Sequence, residues 1–230
     1  MGTYVYPNEE TESIKYYGVY PVDFLIESVL EDGLDWFRSN PEAPNLVFGH
    51  LVNPLLSAKY GQSKIAEISE YIRSKKIRIF QSFPLDGEQS PCVSINLSSS
   101  TENIATAGLN DYYEDDDVLG SDDSIVSRTE VGYTSLSDNV LIGIHAVGGS
   151  DIVKYLYMLF LYILNSQREV FEEEGLLNLT YSATDMSRLN EYLPSNMYSR
   201  FITVNVLNFA RFKKRTMPII ESIELTAEYE

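Results

Sequence analysis

The chain has 230 residues, 44% of them hydrophobic, enough to bury a full core in a single domain. Its 17 Lys and Arg stand against 34 Asp and Glu, a formal net charge of −17. A surface of that sign excludes nucleic acid and anionic membrane as favoured binding partners, because both repel it. The lone cysteine, Cys92, excludes an intrachain disulfide and reads as a small buried hydrophobe in a reducing compartment.

The N-terminus is polar and acidic and carries no signal-peptide pattern. Residues 1–20 contain Tyr4, Tyr6, Tyr16, Tyr17 and Tyr20 with Pro7, which reads as an extended arm. Such an arm docks on another subunit or lies along its own domain. Pro21 then suits the first turn of a helix. Val22, Leu25, Ile26, Val29 and Leu30 follow at amphipathic spacing, and Asn40-Pro41 is the stop. A second helical stretch is predicted over residues 46–56, kinked or divided at Pro54. After Gly61, Ser63 is the predicted cap of a third helix carrying Ile65, Ile68, Tyr71 and Ile72. Lys75 and Lys76 complement the dipole at its end.

The period then changes from helix to strand. Ile77, Ile79, Gln81 and Phe83 alternate with Arg78, Phe80 and Ser82, and Val93, Ile95 and Leu97 alternate with Cys92, Ser94 and Asn96. Asp86-Gly87 between them is turn chemistry, so the two strands are expected to form a hairpin. Residues 98–127 follow as an insertion rich in acids, including Asp111, Glu114, Asp115, Asp116, Asp117, Asp122 and Asp123. Its self-repulsion predicts a mobile or projecting loop.

The C-terminal half reads strand, helix, strand, strand. Residues 129–135 form a strand leading through Ser137-Asp138-Asn139 into a second at 140–147. Gly148-Gly149 turns into a very apolar helix with Ser150 as its cap, ended by Gly175. Residues 155–164 are its longest apolar run, about half the roughly 20 residues that span a bilayer, so it reads as a core helix. That helix is apolar on nearly every side and requires cover on more than one face. Strands at 176–183 and 200–212 complete the set, the latter long enough to outreach its sheet or bend at a bulge. Residues 218–229 alternate and read as a last strand, paired within the sheet or across to a neighbour. The expected fold is α+β, a mostly antiparallel sheet packed against helices. Residues 1–20 are the arm, and residues 21–230 a single domain with the acidic insertion.

The chain carries little recognisable chemistry. Asp115, Asp116 and Asp117 are hard-cation ligands by type, but the order of an EF-hand loop, its glycine and its closing glutamate are missing. A metal-dependent hydrolase using that loop is the alternative of another class. His145 and His50, the only histidines, sit on a strand and in an apolar helix, and both read as structural. Nucleotide-loop and nucleophile-elbow signatures are absent. Arg211, Lys213, Lys214 and Arg215 read as the one basic cluster. In a self-associating acidic protein, such a cluster pairs with the acidic loop of the next copy, and a heterologous contact of that kind closes into a ring.

The order of elements supplies a resemblance. Helices precede IRIFQSFP and PCVSINL; a long irregular insertion follows; then come VLIGIHA, the helix, LLNLTYSA and RFITVNVLNFARF. In this pattern residues 22–212 resemble the neck and tail-completion proteins of long-tailed bacteriophages, tail terminators in particular. The resemblance implies a structural virion protein, not an enzyme, with no cofactor and no metal. It implies a ring, a homohexamer, at the head-proximal end of the tail tube. The partners implied are its own copies, the tail tube, the sheath of a contractile tail and the head connector. Genomic DNA would pass through the lumen without specific binding. Location would be the virion neck, with assembly in the host cytoplasm and no membrane contact. The subunit-interface residues expected are Arg200, Arg211, Lys213, Lys214 and Arg215 on one side and Asp115, Asp116 and Asp117 on the other. The N-terminal helices and the acidic insertion exceed a minimal terminator, which leaves a head-side connector or a sheath-associated neck protein as alternatives.

Overall fold

The computed structural model describes residues 18–53, 61–84, 90–102, 113–119, 125–147, 150–185 and 197–218. Several expectations lie outside these residues. They are the arm up to Tyr17, the kink at Pro54, the Asp86-Gly87 turn, Asp111, Asp122 and Asp123, the Gly148-Gly149 turn, and residues 219–229.

The fold is α+β, with a mostly antiparallel sheet packed with helices. Its elements are α1 (Val22–Ser39), α2 (Ala43–Phe48), a 3-10 turn (Gly49–Val52), α3 (Gln62–Ser74), β1 (Arg78–Phe80), β2 (Cys92–Glu102), β3 (Tyr113–Leu119), β4 (Ile125–Val147), α4 (Ser150–Ser166), α5 (Arg168–Glu173), β5 (Leu177–Asp185) and β6 (Met197–Pro218). The chain divides into two compact units. The larger holds residues 20–105 and 135–209, and the smaller holds residues 1–19, 106–134 and 210–230. β4 and β6 contribute strand to both.

In the larger unit the strand order is β1-β2-β4-β6-β5. The apolar stripe of α1 buries Val22, Ile26, Val29, Leu30, Leu34 and Phe37, spaced three and four apart as one helix face requires. Asn40 ends the helix by donating its backbone N–H to Trp36 O at 2.9 Å, while its own Oδ1 accepts the Glu42 N–H at 2.9 Å. Gly33 lets α1 approach α4, because a Cβ there would come within 2.7 Å of Ile163 Cγ1. Trp36 stacks on Tyr162 beside this crossing at 5.8 Å, and Phe48 meets Phe37 and Tyr155 edge-on. Val93 and Ile95 of β2, Val140, Ile142 and Ile144 of β4, and Ile202, Val204 and Val206 of β6 join the same core. Each such side chain contributes about 1.5–3 kcal/mol by leaving water.

α4 is covered as its composition requires: Leu156, Leu159, Phe160 and Leu164 are wholly buried, and Met158 and Tyr162 are half-covered. The helical stretch breaks at Gln167 into α4 and α5, where a continuous helix was predicted. Gly175, at φ +79°, ends α5 as expected. Leu176 N–H bonds Phe171 O at 2.9 Å and Gly175 N–H bonds Glu172 O at 3.0 Å, the paired bonds of a left-handed helix terminus. Phe171 and Leu176, both buried, make the apolar contact that accompanies it.

Four expectations are corrected. β1 and β2 pair in parallel, Arg78 opposite Cys92, so they are not a hairpin. The connection through residues 81–91 brings the chain back to run in the same direction, where a two-residue turn would have reversed it. The two strands expected at 129–135 and 140–147 are one: Ser137-Asp138-Asn139 between them is strand as well, and β4 runs unbroken over 23 residues. Asp115, Asp116 and Asp117 lie on β3, not in a loop. Ser63 is not the cap of α3: Gly61 is, at φ +29°, and no side chain caps that end.

In the smaller unit β3 pairs antiparallel with the first part of β4, from Tyr113 opposite Gly132 to Leu119 opposite Ile125. Asp117 stands opposite Arg128, and Asp115 opposite Glu130. Ladder hydrogen bonds hold this acidic strand extended.

Candidate functional site

Two hydrogen-bonded bridges cross the three central strands β2, β4 and β6. The first lies on the side of β4 away from the apolar core, as the alternation around Ile142 and Ile144 places His145. There the imidazole bonds Ser94 Oγ of β2 through Nε2 and Ser199 Oγ of β6 through Nδ1, each at 2.8 Å. One ring nitrogen donates and the other accepts, so a neutral imidazole satisfies both serines. Phe201 packs edge-on to the ring at 5.7 Å, and Cys92 stands opposite His145 in the register. Burial pushes the His145 pKa down to about 4, which keeps the ring neutral near pH 7.

The second bridge lies on the core side, in phase with Val140. Asp138, buried to 2% exposure, accepts from Ser100 Oγ at 2.5 Å and from Asn208 Nδ2 at 2.8 Å. Asn208 Nδ2 also donates to Tyr20 O at 2.9 Å, which ties the residue just before α1 to β6. A bulge at Ser98 places Ser100 opposite Asp138: it inserts one residue between the Leu97–Val140 and Ser99–Asn139 pairs.

A serine hydroxyl on an imidazole nitrogen is the beginning of a nucleophile–base pair. Here Ser94 and His145 are both 0% exposed and Ser199 is 3% exposed, so no substrate atom can approach. The carboxylate of Asp138 serves the other bridge, on the opposite face of the strand. Both bridges therefore act as ties that fix the register and spacing of three strands.

Surface charge gathers where α1 and α3 end. Arg38 Nη2 donates to Lys75 O at 2.9 Å, and Arg73 Nη2 donates to Asn40 O at 2.7 Å with its guanidinium 5.9 Å from the Phe37 ring centre. These two bonds hold the helix ends side by side. Lys75, Lys76 and Arg78 continue the cationic end, all exposed. Beside it an open groove of about 540 Å³ runs between α2 and α3.

The expected interface residues are distributed as follows. Arg200 belongs to the larger unit, and its guanidinium lies 4.0 Å from the Tyr157 ring centre, a close cation–π contact within the chain. Asp115, Asp116 and Asp117 on β3, and Arg211, Lys213, Lys214 and Arg215 on β6, all belong to the smaller unit. His50 is exposed in the 3-10 turn. The second basic cluster, Arg73 to Arg78, was in plain view in the sequence but read only as dipole compensation. Asp138 also had a signal: it falls in phase with Val140, Ile142 and Ile144, where an acid needs a buried partner. Ser94, Ser199 and Asn208 had none.

Among the described residues no group of three His, Cys, Asp or Glu side chains is placed to share a metal ion. No helix among them is long and apolar enough to cross a membrane. No protein-family model matches the chain, and no curated protein matches its sequence.

Proposed function

We propose that the chain is a structural subunit of the neck of a long-tailed phage, a tail terminator whose copies close into a ring. The observation that carries the reading is the length of two strands. β4 has 23 residues and β6 has 22, where strands average roughly five to six. β4 pairs with β3 along one part and with β2 along another, and both long strands extend into the smaller unit. Strands long enough to reach from one unit into the other suit contact with a neighbouring copy.

Charge supports the same reading. The smaller unit carries Asp115–Asp117 on β3 and Arg211, Lys213, Lys214 and Arg215 on β6. Opposite signs on one small unit suit a head-to-tail contact between identical copies, and such contacts close into rings. A net charge of −17 suits a lumen through which DNA slides without sticking. The expected ring is a hexamer seated on the tail tube, bounded by the head connector and, in a contractile tail, by the sheath. The internal bridges fit a protein that works by shape: its buried histidine and aspartate are used to hold strands in register.

The test is the mass and shape of the full chain in solution. Sedimentation velocity and negative-stain imaging should find closed rings of 26.1-kDa chains with a central channel. Labelled antibody on intact virions should mark the junction of head and tail. A monomer at every concentration up to the millimolar range, with no virion labelling, overturns the proposal.

A further inference from the structure

We infer that the groove between α2 and α3, with the cationic helix ends beside it, receives the C-terminal segment 219–230 of a second copy of this chain. The inference rests on the assembly reading above and adds a second contact to it.

The receiving surface is built and held. Pro44, Ile65 and Ala66 supply the apolar part of the groove, and Arg73 and Glu70 stand on its walls. Gln62 Nε2 donates to Asn45 Oδ1 at 3.1 Å and ties α3 to α2 across it. Arg73 is fixed by its bond to Asn40 O, so its charge is set in place before any partner arrives. Lys75 extends over the Tyr71 ring at 5.9 Å, and Lys76 follows it. Among the described residues no carboxylate lies within ion-pair distance of Arg73, Lys75 or Lys76; Arg38 has Asp35 at 3.3 Å. In a chain of net charge −17, three cations with no ionic partner among the described residues, at one end of a helix pair, form a surface that attracts acid.

The segment fits by composition. Residues 219–230 read IIESIELTAEYE, with Glu221, Glu224, Glu228 and Glu230 interleaved with Ile219, Ile220, Ile223 and Leu225, and with no Lys or Arg. An apolar groove flanked by cations requires that combination: aliphatic side chains for the floor and carboxylates for the rim. The acidic strand β3 fits less well, because its acids run consecutively and its backbone is already bonded to β4. Nucleic acid would bring phosphate to the cations but nothing to the apolar floor, and would meet the surrounding negative charge.

The experiment uses the full chain in two arms. In the first, a fluorescent peptide of residues 219–230 is titrated with the protein and followed by anisotropy. Binding is expected to weaken about tenfold in the double variant Lys75→Glu/Lys76→Glu, and to fall with rising salt. In the second, Lys75→Glu/Lys76→Glu and Glu221→Lys/Glu224→Lys proteins are each measured alone and then mixed. Each alone should associate more weakly than wild type, and the mixture should recover, because the reversed charges then meet across the contact. Circular dichroism melting confirms that both variants fold. Wild-type rings that persist unchanged in both variants overturn this inference and leave the ring intact. Rings absent from wild type remove the assembly reading, while peptide binding still reports on the groove. Peptide affinity unaffected by the lysine changes, tighter binding of duplex DNA than of peptide at those lysines, or no recovery on mixing overturns the inference.

Discussion

Gly143 and His145 stand two residues apart on one face of β4, and the imidazole lies over the glycine. A Cβ at position 143 would sit 2.6 Å from Ser94 Oγ and closer still to His145 Nε2. The glycine therefore makes room for the bridge between β2 and β6. Gly143→Ala should lower the unfolding free energy by about 1–3 kcal/mol, read as a reduced midpoint in urea. The same change in a His145→Ala background should cost clearly less, because the obstructing ring is gone. Equal costs in the two backgrounds would contradict the packing described.

His145 also sets a pH dependence. Its folded pKa is about 4, below the ordinary value of 6.5, because burial disfavours the charged ring. The unfolded chain thus binds the proton first as pH falls. The contribution is fully present above pH 6.5 and is lost progressively down to about pH 4, below which it no longer changes. Its size is on the order of 3 kcal/mol for a shift of that extent. Stability of wild type and His145→Gln, measured by urea unfolding between pH 4 and pH 7, should converge toward the acid end. A parallel pair of curves would remove the histidine from this role.

Asp138 and Asn208 should behave as a coupled pair. Removing either side chain leaves its partner short of a bond at a buried position, which costs about 1–3 kcal/mol. A double-mutant cycle with Asp138→Ala and Asn208→Ala should return a coupling energy of about 0.5–3 kcal/mol. Additive losses would mean that the 2.8 Å contact carries no energy of its own.

The crossing of α1 on α4 depends on Gly33. Its Cβ would meet Ile163 Cγ1 at 2.7 Å and Cδ1 at 2.8 Å. Gly33→Ala should destabilise by about 1–3 kcal/mol despite the better helix propensity of alanine, which favours it by up to about 1 kcal/mol. Ile163→Ala, which removes Cγ1, Cγ2 and Cδ1 together, should cost less in the Gly33→Ala background than in wild type. Thermal melts of the three variants decide it, and a Gly33→Ala protein more stable than wild type would show that the helices part without cost.

Local chemistry made much of this molecule legible before its folding was known. The three- and four-residue spacing from Val22 determined α1, and alternation determined the faces of β2. Apolar composition determined that α4 is covered, and Gly175 that the helical stretch ends there, because only a left-handed residue closes such a terminus cheaply. What the tertiary structure alone decided is who meets whom. Asp-Gly suggested a reversal between β1 and β2, but pairing direction depends on the whole path through residues 81–91. Ser137-Asp138-Asn139 read only as the link between two strands, because its side chains are polar. In the fold Asp138 instead finds Ser100 and Asn208 on neighbouring strands, and those bonds offset the cost of keeping a carboxylate inside β4. Residue type and spacing act over a few residues; hydrogen-bond partners across a sheet come from chain segments 38 and 70 residues away, and no local pattern encodes them.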